Sequence, residues 1–189
     1  VGAAGSGVYF NAVDILSAYG LGDLDADGKF TKINATYQSF GDSADSLKDG
    51  KIDAAFIVAG APTTAIMDLS TTKAAYLVSL DDAHIDELLA ASPYYTKHVI
   101  PAGTYNGQDE DVATFGIKCL LCVSENMSDD LVYEITSILY ENRDRLKDLH
   151  PALSYASQTG FMYEDLPIEL HPGAERYYAE QGLLQEHGR

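Results

Sequence analysis

Helical and strand-like patterns alternate along the first half of the chain. Apolar positions spaced for one helix face run from Tyr9 to Tyr19 and stop before Gly20, a residue suited to ending a helix. Further helices are predicted from Ser43 to Lys48, in APTTAIMDLS with Pro62 in its first turn, and from Asp81 to Ala91. The runs KFTKINATYQ, IDAAFIVAG and AAYLVSL predict strands. This order predicts right-handed βαβ units around a parallel sheet, which is an α/β fold.

The second half of the chain has a different pattern. The segment YYTKHVIPAGTYNGQDEDVA is rich in turn residues and is followed by a predicted strand, ATFGIKCLLCVS. A long helix is predicted from Ser128 to Leu149, with Ser128 as its N-cap, and a shorter one near Ala152 to Gly160. A last helix is predicted to begin near Pro172 and to stop near Gly182. The change of pattern indicates two domains.

The charge balance limits the class of partner. Lys and Arg number 12 against 29 Asp and Glu, and the net charge is −17 over 189 residues. Nucleic acids and anionic lipids both attract basic surfaces, so we expect neither as a partner. No apolar run is long enough to span a bilayer. The chain also starts without the features of a signal peptide, so we expect a processed or trimmed segment.

The two cysteines, Cys119 and Cys122, form a CxxC pair inside the last predicted strand. Such a pair can be a redox or metal motif. On a strand, however, residues three apart point to opposite faces, and their Cα atoms lie about 10 Å apart, too far for a disulfide. No second cysteine pair completes a zinc site. We therefore predict two unbridged strand cysteines.

Five stretches of the chain resemble, in their order and spacing, one family of transport receptors. They are VGAAGSG, DGKIDAAFIVAGAPT, IPAGTYNGQDEDVATFGIKCLLCVS, DDLVYEITSILYEN and LHPGAERYYAEQGL. Together they cover nearly all of the chain. The sequence resembles the TAXI family of TRAP-transporter solute receptors.

This resemblance implies a type II periplasmic-binding-protein fold, in which two α/β lobes close around a small molecule. It implies an extracytoplasmic protein, in the periplasm or anchored as a lipoprotein, that delivers its solute to the membrane subunits of a sodium-coupled TRAP permease. Residues 1–112 would form the complete second, ligand-binding lobe, and residues 113–189 the C-terminal remnant of the first lobe. The boundary would lie between Asp109 and Ala113, with a hinge near Thr114 to Gly116.

Such a fragment is expected to bind its ligand weakly or not at all, because half of the cleft wall is absent. Three arrangements stay open for the remnant of the first lobe. It packs on the second lobe, hangs loose, or self-associates with another copy to cover apolar surface.

The glycine-rich turn before the first helix is the first candidate ligand site. Gly5, Ser6 and Gly7 precede a helix N-terminus, whose free N–H groups and positive end favour an anion such as a carboxylate. On the residues alone, the alternative is a tight βα turn with a capping serine. The resemblance places the turn in the interlobe cleft, with Val8 where the family often has threonine. Tyr9 is a candidate for lining that cleft, although simple packing also accounts for it.

A second candidate ligand site lies at the carboxyl end of a predicted buried strand, where open α/β sheets bind ligands. Its residues are Ala59, Gly60, Ala61, Pro62 and Thr63. The alternative is a plain helix cap. Tyr105 is another candidate for lining the cleft, although simple packing also accounts for a tyrosine in a chain with 13 of them. The predicted ligand is a small carboxylate-bearing metabolite, either a glutamate-like amino acid or a dicarboxylate.

An acidic loop, DLDADG, raises the question of a metal. Asp23, Asp25 and Asp27 alternate before Gly28, as at the opening of a calcium-binding loop. Asn34 stands where the closing glutamate of an EF-hand would be, so an EF-hand is not supported. Two interpretations remain, a weaker Ca²⁺ site completed by another carboxylate or a solvated acidic loop. No other cofactor is expected.

Nothing in the sequence indicates an enzyme. No GxSxG elbow, HExxH sequence or P-loop is present, and none of the histidines stands at metal-binding spacing from another; they are His84, His98, His150, His171 and His187. We therefore expect a binding protein. The rival interpretations are a ligand-sensing domain of a signalling receptor and, less favoured, a small α/β hydrolase. A transmembrane segment encoded after Arg189 would favour the sensor, and a neighbouring permease gene the transporter.

Overall fold

The structure, a computed structural model, describes residues 1–72 and 76–184. It divides the chain into two units, Val1–Lys118 and Cys119–Arg189. The first unit contains the helices α1 Gly7–Ala18, α2 Phe40–Lys48, α3 Thr64–Thr72 and α4 Asp82–Ala91. Within this unit, α1 packs against α4, and α2 packs against α3.

Short polar side chains determine where three of these helices begin. Ser6, Ser39 and Asp81 each accept a hydrogen bond from the backbone N–H group three residues further on. The helices predicted in the first half are confirmed. The helix α2 starts at Phe40 rather than Ser43, because Ser39 and not a later residue provides its cap.

The sheet of the first unit is an antiparallel pair, β1 Tyr95–Ile100 and β2 Val112–Ile117. Its register runs from Tyr95 opposite Ile117 to Ile100 opposite Val112, and α4 packs on both strands. The strand β1 lies in the segment described above as rich in turn residues, where no strand was predicted. That description was based on the proline and glycines that follow Ile100. The strand itself is formed by residues with high β-propensity, among them Tyr95, Thr96 and Val99.

Three predicted strands are wrong, as is the parallel sheet built from them. Residues 29–38, 52–60 and 76–80 contain no strand; Leu24 and Phe30 form an isolated bridge, and residues 74 and 75 lie outside the described part of the chain. A strand needs a paired backbone neighbour, which an apolar run cannot by itself provide. Tyr76 and Val78 are accordingly 89% and 79% exposed. The described residues thus form a mixed helix-and-strand fold with a small sheet, compatible with the α/β class.

The second unit contains the helices α5 Asp129–Glu141, α6 Arg143–Leu146 and α7 Pro172–Glu180, with a 3₁₀ helix at Pro151–Ser157. The predicted cap Ser128 and the predicted start of α7 at Pro172 are confirmed. The prediction of one helix up to Leu149 is wrong, because α5 ends at Glu141 and Asn142 is its C-cap. The Asn142 side chain donates to the Ile138 carbonyl and so competes with continuation of the helix.

The helices α5 and α7 pack at their backbones through Gly173. A Cβ atom at Gly173 would lie 2.2 Å from the Asp129 carbonyl oxygen and 2.9 Å from the Tyr133 amide nitrogen. Beside this contact, Arg176 pairs with Asp130 at 2.9 Å and stacks over the Tyr133 ring. The buried core of the unit surrounds it and consists of Val132, Tyr163, Ala174, Tyr177 and Tyr178.

A cluster of side chains at the start of α4 couples this helix to the end of α1. The Tyr19 hydroxyl donates to Asp81 at 2.8 Å, and His84 Nδ1 lies 2.7 Å from the same carboxylate. The Tyr19 and His84 rings are stacked with their centroids 3.8 Å apart. The Tyr19 hydroxyl, followed by the backbone and ring of His84, lowers the pKa of Asp81 to about 2.

We predict that Gly173→Ala destabilises the chain by about 1–3 kcal/mol, because the added methyl group must push α5 and α7 apart. Urea unfolding followed by circular dichroism measures this. The control is Gly41→Ala in α2, where a Cβ atom would meet nothing within 4 Å. It should be neutral or stabilising by up to about 1 kcal/mol. Equal stability of the two variants would contradict the close contact between the helices.

We predict that Asp81 contributes to stability above its ordinary pKa and loses that contribution as the pH falls. Because folding lowers this pKa, the loss runs from about pH 4 down to about 2, where the folded carboxylate takes up its proton. Asp81→Asn should unfold with a weaker dependence on pH in this window. An acid profile of Asp81→Asn identical to that of the unchanged protein would contradict the prediction.

Candidate functional site

The glycine-rich turn forms the start of α1 and leaves backbone donors available. The Ser6 amide closes the turn by donating to the Ala3 carbonyl at 3.0 Å, and Ser6 Oγ accepts from the Tyr9 amide at 3.2 Å. Gly5 has a φ of 73°, a conformation that favours glycine. In the described part of the chain, the N–H groups of Gly7 and Val8 have no acceptor. Two amides and the Ser6 hydroxyl proton can therefore meet an anion here.

Val8 packs inside this turn. A Cβ atom on Gly2 would lie 2.5 Å from the Val8 Cβ atom and 2.9 Å from Ser6 Oγ, so only glycine fits at position 2. The valine side chain thus lies against the backbone of Gly2. Its contribution to a ligand site is limited to its backbone amide, since the side chain carries no donor.

Tyr9 belongs to an aromatic cluster behind the turn. Its ring centroid lies 5.5 Å from that of Phe10, 6.3 Å from Phe30 and 6.0 Å from Tyr37. Contacts of this kind stabilise packing. They are what the packing interpretation of Tyr9 expects, and the cleft-lining role stays a prediction.

The second predicted segment, Ala59 to Thr63, leads into α3, which begins at Thr64. Pro62 therefore precedes the helix, and the prediction that it occupies the first helical turn is wrong; its peptide bond with Ala61 is cis. The Thr63 amide donates to the Tyr105 hydroxyl at 3.0 Å. Gly60 is exposed beside this bond. The amides of Thr64 and Ala65 have no acceptor among the described residues, so this helix start also presents donors.

Tyr105 is held in place by the loop between β1 and β2. The Gln108 side chain donates to the carbonyls of Ile100, Pro101 and Glu110 and accepts from the Tyr105 amide. Tyr105 is only 5% exposed, and its burial raises the pKa of the phenol, which stays protonated at neutral pH. Its neighbour Asn106 donates to the Ser70 carbonyl in α3. The loop therefore holds α3 at two points.

The structure does not join the two predicted segments directly. The helix α1 packs against α4, whereas α3 packs against α2. No hydrogen bond or ring contact among the described residues connects the turn at Ser6 to the segment that ends at Thr63. Whether the two share one ligand therefore stays a prediction.

A cavity of about 380 Å³ lies beside the opening turn and was not predicted from the sequence. Its lining is mainly polar and acidic: Ala3, Tyr37, Gln38, Ser39, Asp42, Asp45, Ser46, Asp49 and Lys51. Lys51 pairs with Asp49 at 2.7 Å, and Asp42 accepts from the Ser39 hydroxyl. Carboxylates on this wall disfavour an anion inside the cavity. The cavity is therefore a poor match for the predicted carboxylate ligand.

The acidic loop uses its aspartates for local contacts. Asp25 Oδ1 accepts from the amides of Asp27 and Lys29, both at 2.9 Å, and Asp23 pairs with Lys32 at 2.7 Å. Within residues 1–72 and 76–184, no group of three or more His, Cys, Asp or Glu side chains could hold a metal ion. The calcium site stays a prediction that this geometry does not support.

Four histidines lie in the described residues and are not combined into a catalytic group there. His84 contacts Asp81, His98 lies on β1, and the rings of His150 and His171 accept backbone N–H groups at helix starts. His187 lies outside the described residues.

Cys119 and Cys122 are free thiols in the structure and are exposed. Their predicted place on a strand is wrong, because β2 ends at Ile117. Among the described residues, no helix has the length and apolar character needed to cross a membrane.

One comparison with known proteins covers almost the entire chain. The model of the NMT1-like family matches residues 1–182. This is a periplasmic-binding-protein-like family related to solute receptors, whose members are binding proteins rather than enzymes and are typically extracytoplasmic. The family suggests an extracytoplasmic role in binding a small solute, with a transporter partner in general terms. Since the match extends over all but the last residues, the chain belongs to the NMT1-like family.

Proposed function

We propose that this chain is part of a TAXI-type receptor that captures a small carboxylate-bearing solute and delivers it to a sodium-coupled TRAP permease. The start of α1 carries the proposal, because the amides of Gly7 and Val8 and the hydroxyl of Ser6 are donors available to an anion. Membership of a solute-binding family supports the same role. Glutamate-like amino acids and dicarboxylates are the solutes that this site would suit.

The chemistry at the start of α1 favours a carboxylate over a neutral solute. Two parallel N–H groups and one hydroxyl match the two oxygens of a carboxylate, and hydrogen bonds to a charged acceptor are stronger than neutral ones. The positive end of the helix adds to the attraction. The net charge of −17 does not oppose it, because a site can be locally positive in an acidic protein.

The segment from Ala59 to Thr63 would be the second wall of the site. Small side chains there leave room for a ligand, and the free amides of Thr64 and Ala65 suit a second carboxylate. Tyr105 would keep this wall in place through the Thr63 amide. In the proposal, this wall and the start of α1 both belong to the second lobe, and closure of the first lobe over them buries the solute.

The lobe assignment belongs to the same proposal. Residues 1–112 would form the second lobe and residues 113–189 the C-terminal part of the first. The proposed hinge at Thr114 to Gly116 lies inside β2, opposite Thr96 to His98 of β1. A movement there would have to bend the paired strands together rather than one free segment.

We predict that Ser6→Ala lowers the affinity for glutamate or a dicarboxylate about 10- to 100-fold, because it removes a hydrogen bond to a charged group. Isothermal titration of the receptor produced from its whole gene measures this. Ser39→Ala is a matched control, since Ser39 caps α2 with the same geometry. Each variant should lose about 0.5–2 kcal/mol of stability, but Ser39→Ala should keep the affinity. Heat with a neutral sugar and none with any anionic solute would overturn the proposal.

We predict that Tyr105→Phe destabilises the first unit by about 1–3 kcal/mol, because the Thr63 amide loses its acceptor in a partly buried place. Hydrogen exchange at the Thr63 amide, measured by NMR, should become faster. Tyr94→Phe should leave both quantities unchanged, since Tyr94 is 57% exposed. Unchanged exchange in Tyr105→Phe would show that this hydroxyl does not hold the segment.

A further inference from the structure

The CxxC pair occupies the first residues of the second unit. Lys118 is the last residue of the first unit, and Cys119 follows it directly. Both thiols, of Cys119 and Cys122, are free and exposed. Two exposed thiols separated by two residues meet at a high effective concentration, because they are joined by a very short chain.

On a strand, Cys119 and Cys122 could not form a bridge. A strand would hold their Cα atoms about 10 Å apart. The structure ends β2 at Ile117, and residues 118–124 belong to no helix and to no paired strand. No ladder therefore holds the segment extended, but residues 119–122 contain neither a turn nor a bend, so a bridge requires the backbone to form a turn there.

A turn across the pair would bring the thiols into bonding range. In a β-turn, the Cα atoms of the first and fourth residues lie less than about 7 Å apart, which overlaps the range that disulfides require. The central residues would be Leu120 and Leu121. Leu121 is 70% exposed, whereas Leu120 is half-buried.

We propose that Cys119 and Cys122 form a reversible intramolecular disulfide by exchange with a small disulfide compound such as glutathione disulfide. The thiolate of one cysteine attacks the small disulfide, forms a mixed disulfide and releases one thiolate. The second cysteine then attacks the protein sulfur of the mixed disulfide and releases the other thiolate. The two cysteines lose two electrons and two protons, and the small disulfide is reduced to two thiols.

This site is independent of the proposed transport function, because no ligand or permease takes part. The extracytoplasmic location typical of the family is a compartment in which disulfides persist. The product is a closed ring of four residues, 119–122, at the N-terminal end of the second unit. Oxidation would thereby fix a stretch of backbone that no ladder or helix holds.

The test is to equilibrate the reduced chain with glutathione buffers and to measure its mass after acid quenching. For a short flexible connection the effective concentration is in the millimolar range. At glutathione concentrations about tenfold lower, the closed form should outnumber mixed disulfides about tenfold. The closed form weighs less than the reduced chain by two hydrogen atoms, and it should lose both alkylation sites.

The variants Cys119→Ser and Cys122→Ser are the matched controls. Each has one remaining cysteine, which should stop at the mixed disulfide with glutathione and become open to alkylation only after reduction. Peptide mapping should place the bond within one peptide that contains both positions. The proposal is overturned if the unchanged chain accumulates two glutathione adducts, or disulfide-linked dimers, in place of the closed form.

Discussion

Backbone N–H groups at the start of a helix need acceptors, and this requirement shapes both units of the chain. Ser6, Ser39 and Asp81 each supply an oxygen to such a group in the first unit, and Ser128 does so in the second. A buried N–H group without an acceptor would cost as much as a lost hydrogen bond. The amides of Gly7 and Val8 at the start of α1 have no acceptor among the described residues, and they are the donors on which the proposed site depends.

Helix starts could be predicted from the sequence because their signals are local. Ser128 stands immediately before its helix, and Pro172 occupies the first position of the last one. Strands could not be predicted equally well, because each depends on a partner elsewhere in the chain. The apolar run at residues 52–60 has no such partner among the described residues, whereas β1 pairs with β2, from which only the eleven residues 101–111 separate it.

In the candidate site, too, local features could be predicted from the sequence and contacts between distant residues could not. The glycines around Ser6 and the helical pattern that follows them predict the turn. The bond between the Thr63 amide and Tyr105 joins residues 42 positions apart and has no local signal. The cavity was not predicted either, because its lining combines Ala3 with residues between 37 and 51, which are distant from it in sequence. Sequence patterns thus identified the donors at a helix start but not the distant side chains that hold or surround them.

The loop between β1 and β2 fixes the position of α3 through two hydrogen bonds. Adjacent residues, Tyr105 and Asn106, hold the amide before the helix and the Ser70 carbonyl near its far end. The two hydrogen bonds thereby hold the β1–β2 hairpin and α3 together, so that a movement of one moves the other. Insertions and deletions, which surface loops usually tolerate, would here displace a helix that is remote in sequence.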